Sequence, residues 1–113
     1  MIRIFVELPP FRRYLDSIAN GQEVLKEIQE ALLENPDTGD VVQGTGGLRK
    51  MRHAGKGKGK SGGYRVTYLH RPEVQKIYLI VVYAKNEQED LSASERQTLK
   101  QLVETLKRQD GRR

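Results

Sequence analysis

Seven cations crowd one part of this chain: Arg49, Lys50, Arg52, Lys56, Lys58, Lys60 and Arg65. Arginine grips phosphate oxygens with a planar fork of donors, and lysine acts as a movable point charge. The stretch that contains them, residues 41 to 72, holds eight of the twenty Lys and Arg residues, both histidines, eight of the eleven glycines and none of the fifteen acids. It carries +8, against −3 for the other 81 residues. A mildly acidic body with one concentrated cationic segment attracts polyanions. Nucleic acid is the first candidate partner, because phosphate contacts release condensed counterions. A solvated charge run is the plainer alternative.

If the ligand is RNA, its own 2′-OH can attack the adjacent phosphorus. The protein then has to orient that attack, neutralise charge on the phosphoryl oxygens and handle two protons. Lysine is a poor base at neutral pH, but crowding by other cations disfavours its charged form and lowers its pKa. A metal-free ribonuclease built from Lys and Arg is therefore chemically sound. Spacing leaves open which lysine would be the base, and composition alone favours RNA binding over cleavage.

Other chemistries fit less well. Residues 54 to 61 (AGKGKGKS) satisfy a relaxed P-loop pattern with Ala for the first Gly. A phosphate-cradling loop needs a helix after it, whereas Gly62-Gly63 and a strand-like run follow here. His53 and His70 stand 17 residues apart with no acid between them, and without cysteine the window offers no zinc ligand set. Each reads as a surface histidine on a strand. No Ser-His-Asp pattern stands out, and no cofactor is expected.

The elements that must position these cations follow from periodicity. Ile2, Ile4, Val6 and Leu8 alternate with Arg3, Phe5 and Glu7, which predicts a half-buried strand. Pro9-Pro10 ends it and suits a helix's first turn. Phe11, Tyr14, Leu15 and Ile18 then mark one helical face, which Asn20-Gly21 interrupts. A second helix is predicted from Gln22 to Glu34, striped by Val24, Leu25, Ile28, Ala31 and Leu32, and stopped by Asn35-Pro36. Val41-Val42 and residues 48 to 54 read as extended, and Gly55 to Gly63 as an irregular loop. The window's glycines are expected to let the backbone approach RNA.

Tyr64 to His70 and the apolar run Ile77 to Ala84 read as a hairpin around Arg71-Pro72-Glu73, the second strand being central. Tyr83 alternates with Val81 and is open to a plain core role. Ser92-Ala93-Ser94-Glu95 is a capping box opening a helix with Leu99, Leu102, Val103 and Leu106 on one face. Residues 109 to 113 are expected to fray. The order is strand, two helices, three strands, helix: a single α+β domain over residues 1–113, its mainly antiparallel sheet packed by helices. The N-terminus lacks the apolar run of a signal peptide and no run approaches the roughly 18 apolar residues of a membrane span, so the expected location is the cytoplasm.

Three motifs in order carry a resemblance. Residues 44–52 (GTGGLRKMR), 57–65 (GKGKSGGYR) and 83–87 (YAKNE), the last followed by Glu89-Asp90-Leu91, resemble the RelE/HigB superfamily of toxins, most nearly its HigB-type branch. The resemblance spans essentially the whole chain. It implies a RelE-like fold and the toxin of a type II toxin–antitoxin pair that cleaves mRNA in the ribosomal A site. The reaction it implies is metal-free 2′-OH attack, giving a 2′,3′-cyclic phosphate or 3′-phosphate end. Carried over by motif, Arg65, Lys85, Lys58, Lys60 and Tyr83 are the catalytic candidates, while Arg49, Lys50, Arg52, Lys56 and Asn86 are the RNA-binding ones. The implied partners are mRNA, the ribosome and a cognate helix-turn-helix antitoxin similar to HigA, with no membrane. The late-strand His-Tyr pair of some relatives is missing, so neither histidine inherits a role.

Overall fold

The computed structural model describes residues 3–53, 63–84 and 91–111. Strand β1 (Ile4–Glu7) leads into helix α1 (Pro9–Asp16) and helix α2 (Gly21–Glu34). A two-residue strand β2 (Asp40–Val41), β3 (Arg49–His53), β4 (Tyr64–Arg71) and β5 (Lys76–Ala84) follow, then helix α3 (Ala93–Gly111). The five strands form one sheet in the order β1-β5-β4-β3-β2; β1 runs parallel to β5 and the other neighbours are antiparallel. The apolar run that predicted a central strand, β5, does have a strand on each side. The Val41-Val42 stretch read as extended forms a short strand of its own, β2 at Asp40–Val41.

Both faces of the sheet are covered. Phe11, Leu15, Val24, Ile28 and Leu32 from α1 and α2 pack on Met51, Val66, Tyr68, Ile77, Leu79 and Val82. On the other face, Val103 and Leu106 of α3 pack on Leu48, Leu69, Tyr78 and Ile80. Burying each such large apolar side chain contributes roughly 1.5–3 kcal/mol, which is why the helical stripes face inward. The turn between α1 and α2 is tight enough that a Cβ at Gly21 would lie 2.1 Å from the Leu15 carbonyl oxygen, so only glycine fits.

A bulge in β5 decides which way its last residues face. Thr67 pairs with Val81 but Tyr68 pairs with Leu79, leaving Ile80 without an opposite number in β4. Before it, Ile77 and Leu79 face α1 and α2; after it Val82 does, and Val81 packs on the α3 side. One extra residue shifts the period-two alternation and sends Tyr83, two residues beyond Val81, to the α3 face as well.

In the Gly44-Thr45-Gly46-Gly47 turn, the exposed Gly44, Gly46 and Gly47 take φ of 77°, 80° and 111°, and Gly46 lies beside α3. Buried Thr45 donates its hydroxyl to the Val42 carbonyl at 2.6 Å, and Lys107 Nζ donates to the Gly46 carbonyl at 2.6 Å. A side chain at position 46 meets both left-handed strain and Val103 Cγ1, 3.2 Å from an added Cβ. Gly46→Ala is expected to cost about 1–2 kcal/mol, read as a lowered urea midpoint with unchanged slope.

The capping box forms as predicted. Ser92 Oγ accepts from the Glu95 amide at 3.1 Å, and Glu95 Oε1 accepts from the Ser92 amide at 2.9 Å. Residues 109 to 111, expected to fray, are helical instead; residues 112 and 113 lie outside the described residues. Helix α3 runs to Gly111, and the Asp110 side chain, 1% exposed, accepts hydrogen bonds from Tyr78, Arg71 and Lys76. Three donors on the sheet hold the carboxylate there, and so hold the end of the helix.

The histidines are on strands, as expected, but they are not simple surface residues. His53 Nε2 lies 3.0 Å from Glu27 Oε1 of α2. The His70 side chain is 8% exposed and bridges Arg3, 2.9 Å from Nε2, and Asp37, 2.9 Å from Nδ1. Arginine only donates, so Nε2 accepts and Nδ1 carries the proton toward Asp37. That hydrogen bond is the main reason the Asp37 carboxyl is held below its ordinary range.

Candidate functional site

The α3 face of the sheet is apolar under the middle of the helix, ion-paired through Asp110 at its C-terminal end and cationic toward its N-terminal end. Met51 faces α1 and α2, so by alternation its neighbours Lys50 and Arg52 face α3, as do Arg65 and Thr67 beside Val66. The register aligns Arg52 with Arg65 and Arg65 with Tyr83, and one step along aligns Lys50 with Thr67 and Thr67 with Val81. Side chains directly opposite in an antiparallel sheet have Cβ atoms about 5 Å apart, and like charges so placed repel. Arg52 and Arg65 are such a pair.

A groove of about 460 Å³ lies over these residues. Lys50, Met51, Arg52 and Arg65 line it together with Leu91 just before α3, Arg96 in its first turn, and Thr38, Asp40, Val41, Val42 and Gln43 in and around β2. Arg65 is half-buried, and its buried Nε has no hydrogen-bond partner among the described residues; the fully buried Thr67 Oγ1 has none either. Unsatisfied buried donors are costly, and a repelling pair of guanidiniums gives the groove a strongly cationic floor.

The titratable groups are displaced in opposite directions. Burial, then the charges of Arg65 and Arg96, hold the Lys50 amine below its ordinary range. Burial pushes the Tyr83 phenol up; Arg65 opposes that and Glu95 adds to it. Two groups pushed apart in this way suit opposite proton-transfer roles.

A profile of the family described as "RelE toxin of RelE / RelB toxin-antitoxin system" matches residues 10–112. The chain belongs to the RelE toxin family. Its fold agrees with solved structures of that family. A mutant of the Escherichia coli toxin RelE in the free state superposes with a TM-score of 0.59 at 21% identity, covering 91% of this chain and 98% of that one. A chain of the intact E. coli RelBE toxin–antitoxin complex gives 0.54 at 20% identity, covering 72% and 94%. At such identities the likeness concerns the fold.

Of the residues singled out in the sequence of this RelE-family toxin, Lys50, Arg52, Arg65 and Tyr83 come together on one face. Arg49 does not. It faces the other way, donating to the carbonyls of Asp37 at 3.2 Å and Gly39 at 2.6 Å, and so secures the loop before β2. Arg71, also in the basic window, pairs with Glu73 and Asp110 instead of the groove. Lys56, Lys58, Lys60, Lys85 and Asn86 lie outside the described residues.

Arg96 and Asp40 were missed. Arg96 had a readable signal, since it stands three residues before Leu99 and seven before Val103, a cation at an apolar position of the stripe. Asp40 sits just outside the acid-free window and reads as a turn residue. Among the described residues no three His, Asp or Glu side chains gather in a way that could hold a metal ion, and no helix is long and apolar enough to cross a membrane.

Proposed function

We propose that this toxin is an endoribonuclease that cleaves mRNA in the ribosomal A site and thereby inhibits translation. The opposed Arg52–Arg65 pair, lining one groove with Lys50 and Arg96, is the observation that carries the reading. A scissile phosphate seated there meets two guanidiniums, with Arg96 across the groove adding a third charge. Lys50, held below its ordinary range, takes the proton from the 2′-OH as O2′ bonds to phosphorus. Tyr83, whose phenol stays protonated, gives its proton to the departing 5′-oxygen as the P–O5′ bond breaks. The products are a 2′,3′-cyclic phosphate and a 5′-hydroxyl. Lys50 and Tyr83 are on different strands with Arg65 of β4 between them, as an in-line displacement asks. Lys58, Lys60 and Lys85 add catalytic charge, with Lys56 and Asn86 contacting RNA; motif position supports this.

The partner is an antitoxin, HigA-like on the strength of the HigB-type motifs. Mapping 5′ ends of messages after induction, with ribosomes present, tests the cleavage reading; salt-sensitive RNA binding without new ends would replace it with a non-catalytic module. In single-turnover cleavage, the rate is expected to climb with pH while Lys50 loses its proton and to level off below the ordinary lysine value. Lys50→Met is expected to be slower by roughly 10²–10⁴-fold and to lose that dependence. An unchanged pH profile in the variant rules Lys50 out as the base.

A further inference from the structure

The sheet has two edges, and only one of them is guarded. Strand β2 is two residues long and opens with the charge of Asp40; short length and charge are how natural edge strands avoid pairing with other chains. Strand β1 pairs with β5 alone among the described strands, and its first three residues, Ile4-Phe5-Val6, are apolar, with no lysine, proline or bulge. Ile4 is 51% exposed. A single exposed apolar side chain is ordinary, but this one stands on an open row of backbone donors and acceptors.

The ladder fixes which groups are open. The Ile4 amide donates to the Gln75 carbonyl at 2.8 Å and the Leu8 amide to the Leu79 carbonyl at 2.9 Å, and the parallel register runs unbroken between them. Alternate residues of a strand turn their backbone groups to opposite sides, so Phe5 and Glu7 present theirs to the free edge. An antiparallel copy of β1 centred on Phe5 satisfies them: Phe5 meets Phe5 of the copy, Arg3 meets Glu7, and Ile4 meets Val6. Opposite charges so placed attract. Arg3 already bonds His70 and Glu7 already accepts from Arg12, but a guanidinium's five donors and a carboxylate's four acceptor sites leave room for both. Moving the register by one residue sets an outward-facing backbone against an inward-facing one. Moving it by two sets Arg3 against Phe5 or against Pro9, which has no N–H, and loses the charge pair.

We propose that β1 is a self-complementary docking edge, where a second copy of this chain pairs antiparallel about a two-fold axis at Phe5 and the two sheets become one. The groove lies over β2, β3 and β4 at the far edge, so both grooves stay open and the pairing stands apart from the RNA-cleaving reading. A four-residue strand makes a small contact, so dimerisation is expected with a Kd of about 10–100 μM. Sedimentation equilibrium of the free toxin across that range should show the mass rising from one chain toward two. Ile4→Lys puts a lysine on the edge at an exposed position and should raise the Kd by about tenfold or more. A wild type that stays monomeric throughout, or an unchanged Kd in Ile4→Lys, overturns the proposal.

A second measurement reads the register. The chain has no cysteine, so Ile4→Cys and Val6→Cys each carry a single thiol. Opposed positions in this pairing have Cα atoms about 4.5 Å apart, within a disulfide's reach, whereas like positions are diagonal, about 7–8 Å apart and beyond it. Mixed and mildly oxidised, the two proteins should cross-link to each other about tenfold faster than either does to itself. Equal rates overturn the register and with it the proposal. A monomeric toxin whose Phe5 and Glu7 amides gain protection from hydrogen exchange only when its antitoxin binds also overturns it, and gives the edge to the antitoxin.

Discussion

Arg65→Ala is expected to slow mRNA cleavage by roughly 10²–10³-fold and to relieve growth arrest, the scale of losing one preorganised donor to a developing oxyanion. The same substitution should leave the melting temperature unchanged or raise it. Arg65 sits opposite Arg52, and its buried Nε has no partner among the described residues, so its removal takes away repulsion and an unsatisfied donor. Loss of activity with retained stability is the pattern of a residue kept for function, since such sites hold interactions that are unfavourable without their ligand. Arg65→Lys should fall between the two, keeping the charge but losing the fork that grips two oxygens. Cleavage kinetics and a thermal melt on the same preparations check both halves. Full cleavage by Arg65→Ala would remove the groove as the active site.

Asp110→Ala is expected to destabilise the protein by about 3 kcal/mol, because it leaves the Tyr78 hydroxyl and two cations without the carboxylate they converge on. For a domain with only about 5–15 kcal/mol in hand that is a large fraction. Tyr78→Phe removes one of the three hydrogen bonds and should cost about 1.5–3 kcal/mol, the range for a bond to a charged group. Equilibrium urea unfolding reads both, and a loss under 1 kcal/mol for Asp110→Ala would show that the helix end is held otherwise.

The pH dependence of stability follows from the same cluster. Burial raises the Asp110 carboxyl, but hydrogen bonds from Tyr78, Arg71 and Lys76 outweigh it, and the net is a pKa below the ordinary value. Its contribution is present above the unfolded carboxylate pKa and disappears as pH falls through the lower, folded one. Tyr78 is pushed up to about 12, by burial first and by Asp110 next. Its contribution is complete below the ordinary phenol value near 10 and is lost as pH rises toward about 12. Acid and alkaline limbs should both flatten in Asp110→Ala.

Much of this protein was readable before any geometry. The helical stripes through Phe11, Ile28 and Val103, the capping box at Ser92 and the apolar run of β5 are local patterns, and local patterns survive folding because each element must bury a face. Alternation in residues 2 to 8 marked the strand but not its burial, since Ile4 is 51% exposed while Phe5 and Val6 pack on opposite sides of the sheet. Charge was readable for the same reason: eight cations in a window without acids are a concentration of positive charge whatever the fold. The family was readable too, through three motifs with their spacing.

Tertiary structure decided which of those cations meet. Arg49 and Lys50 are adjacent in sequence, yet a strand sends them to opposite faces, one to the loop before β2 and the other to the groove. Tyr83 joins Arg65 only because the bulge at Ile80 shifts the alternation of β5 by one residue, and the bulge depends on a partner strand distant in sequence. Arg96 reaches the site because α3 packs across the sheet, and Asp110 is buried because that packing brings its helix end onto Tyr78. Residue types and periods are properties of the chain alone, whereas register, bulges and helix placement are long-range contacts. So the sequence by itself determined the elements and the charge, and only the folded sheet decided that Lys50, Arg52, Arg65 and Arg96 line one groove with Tyr83 opposite Arg65.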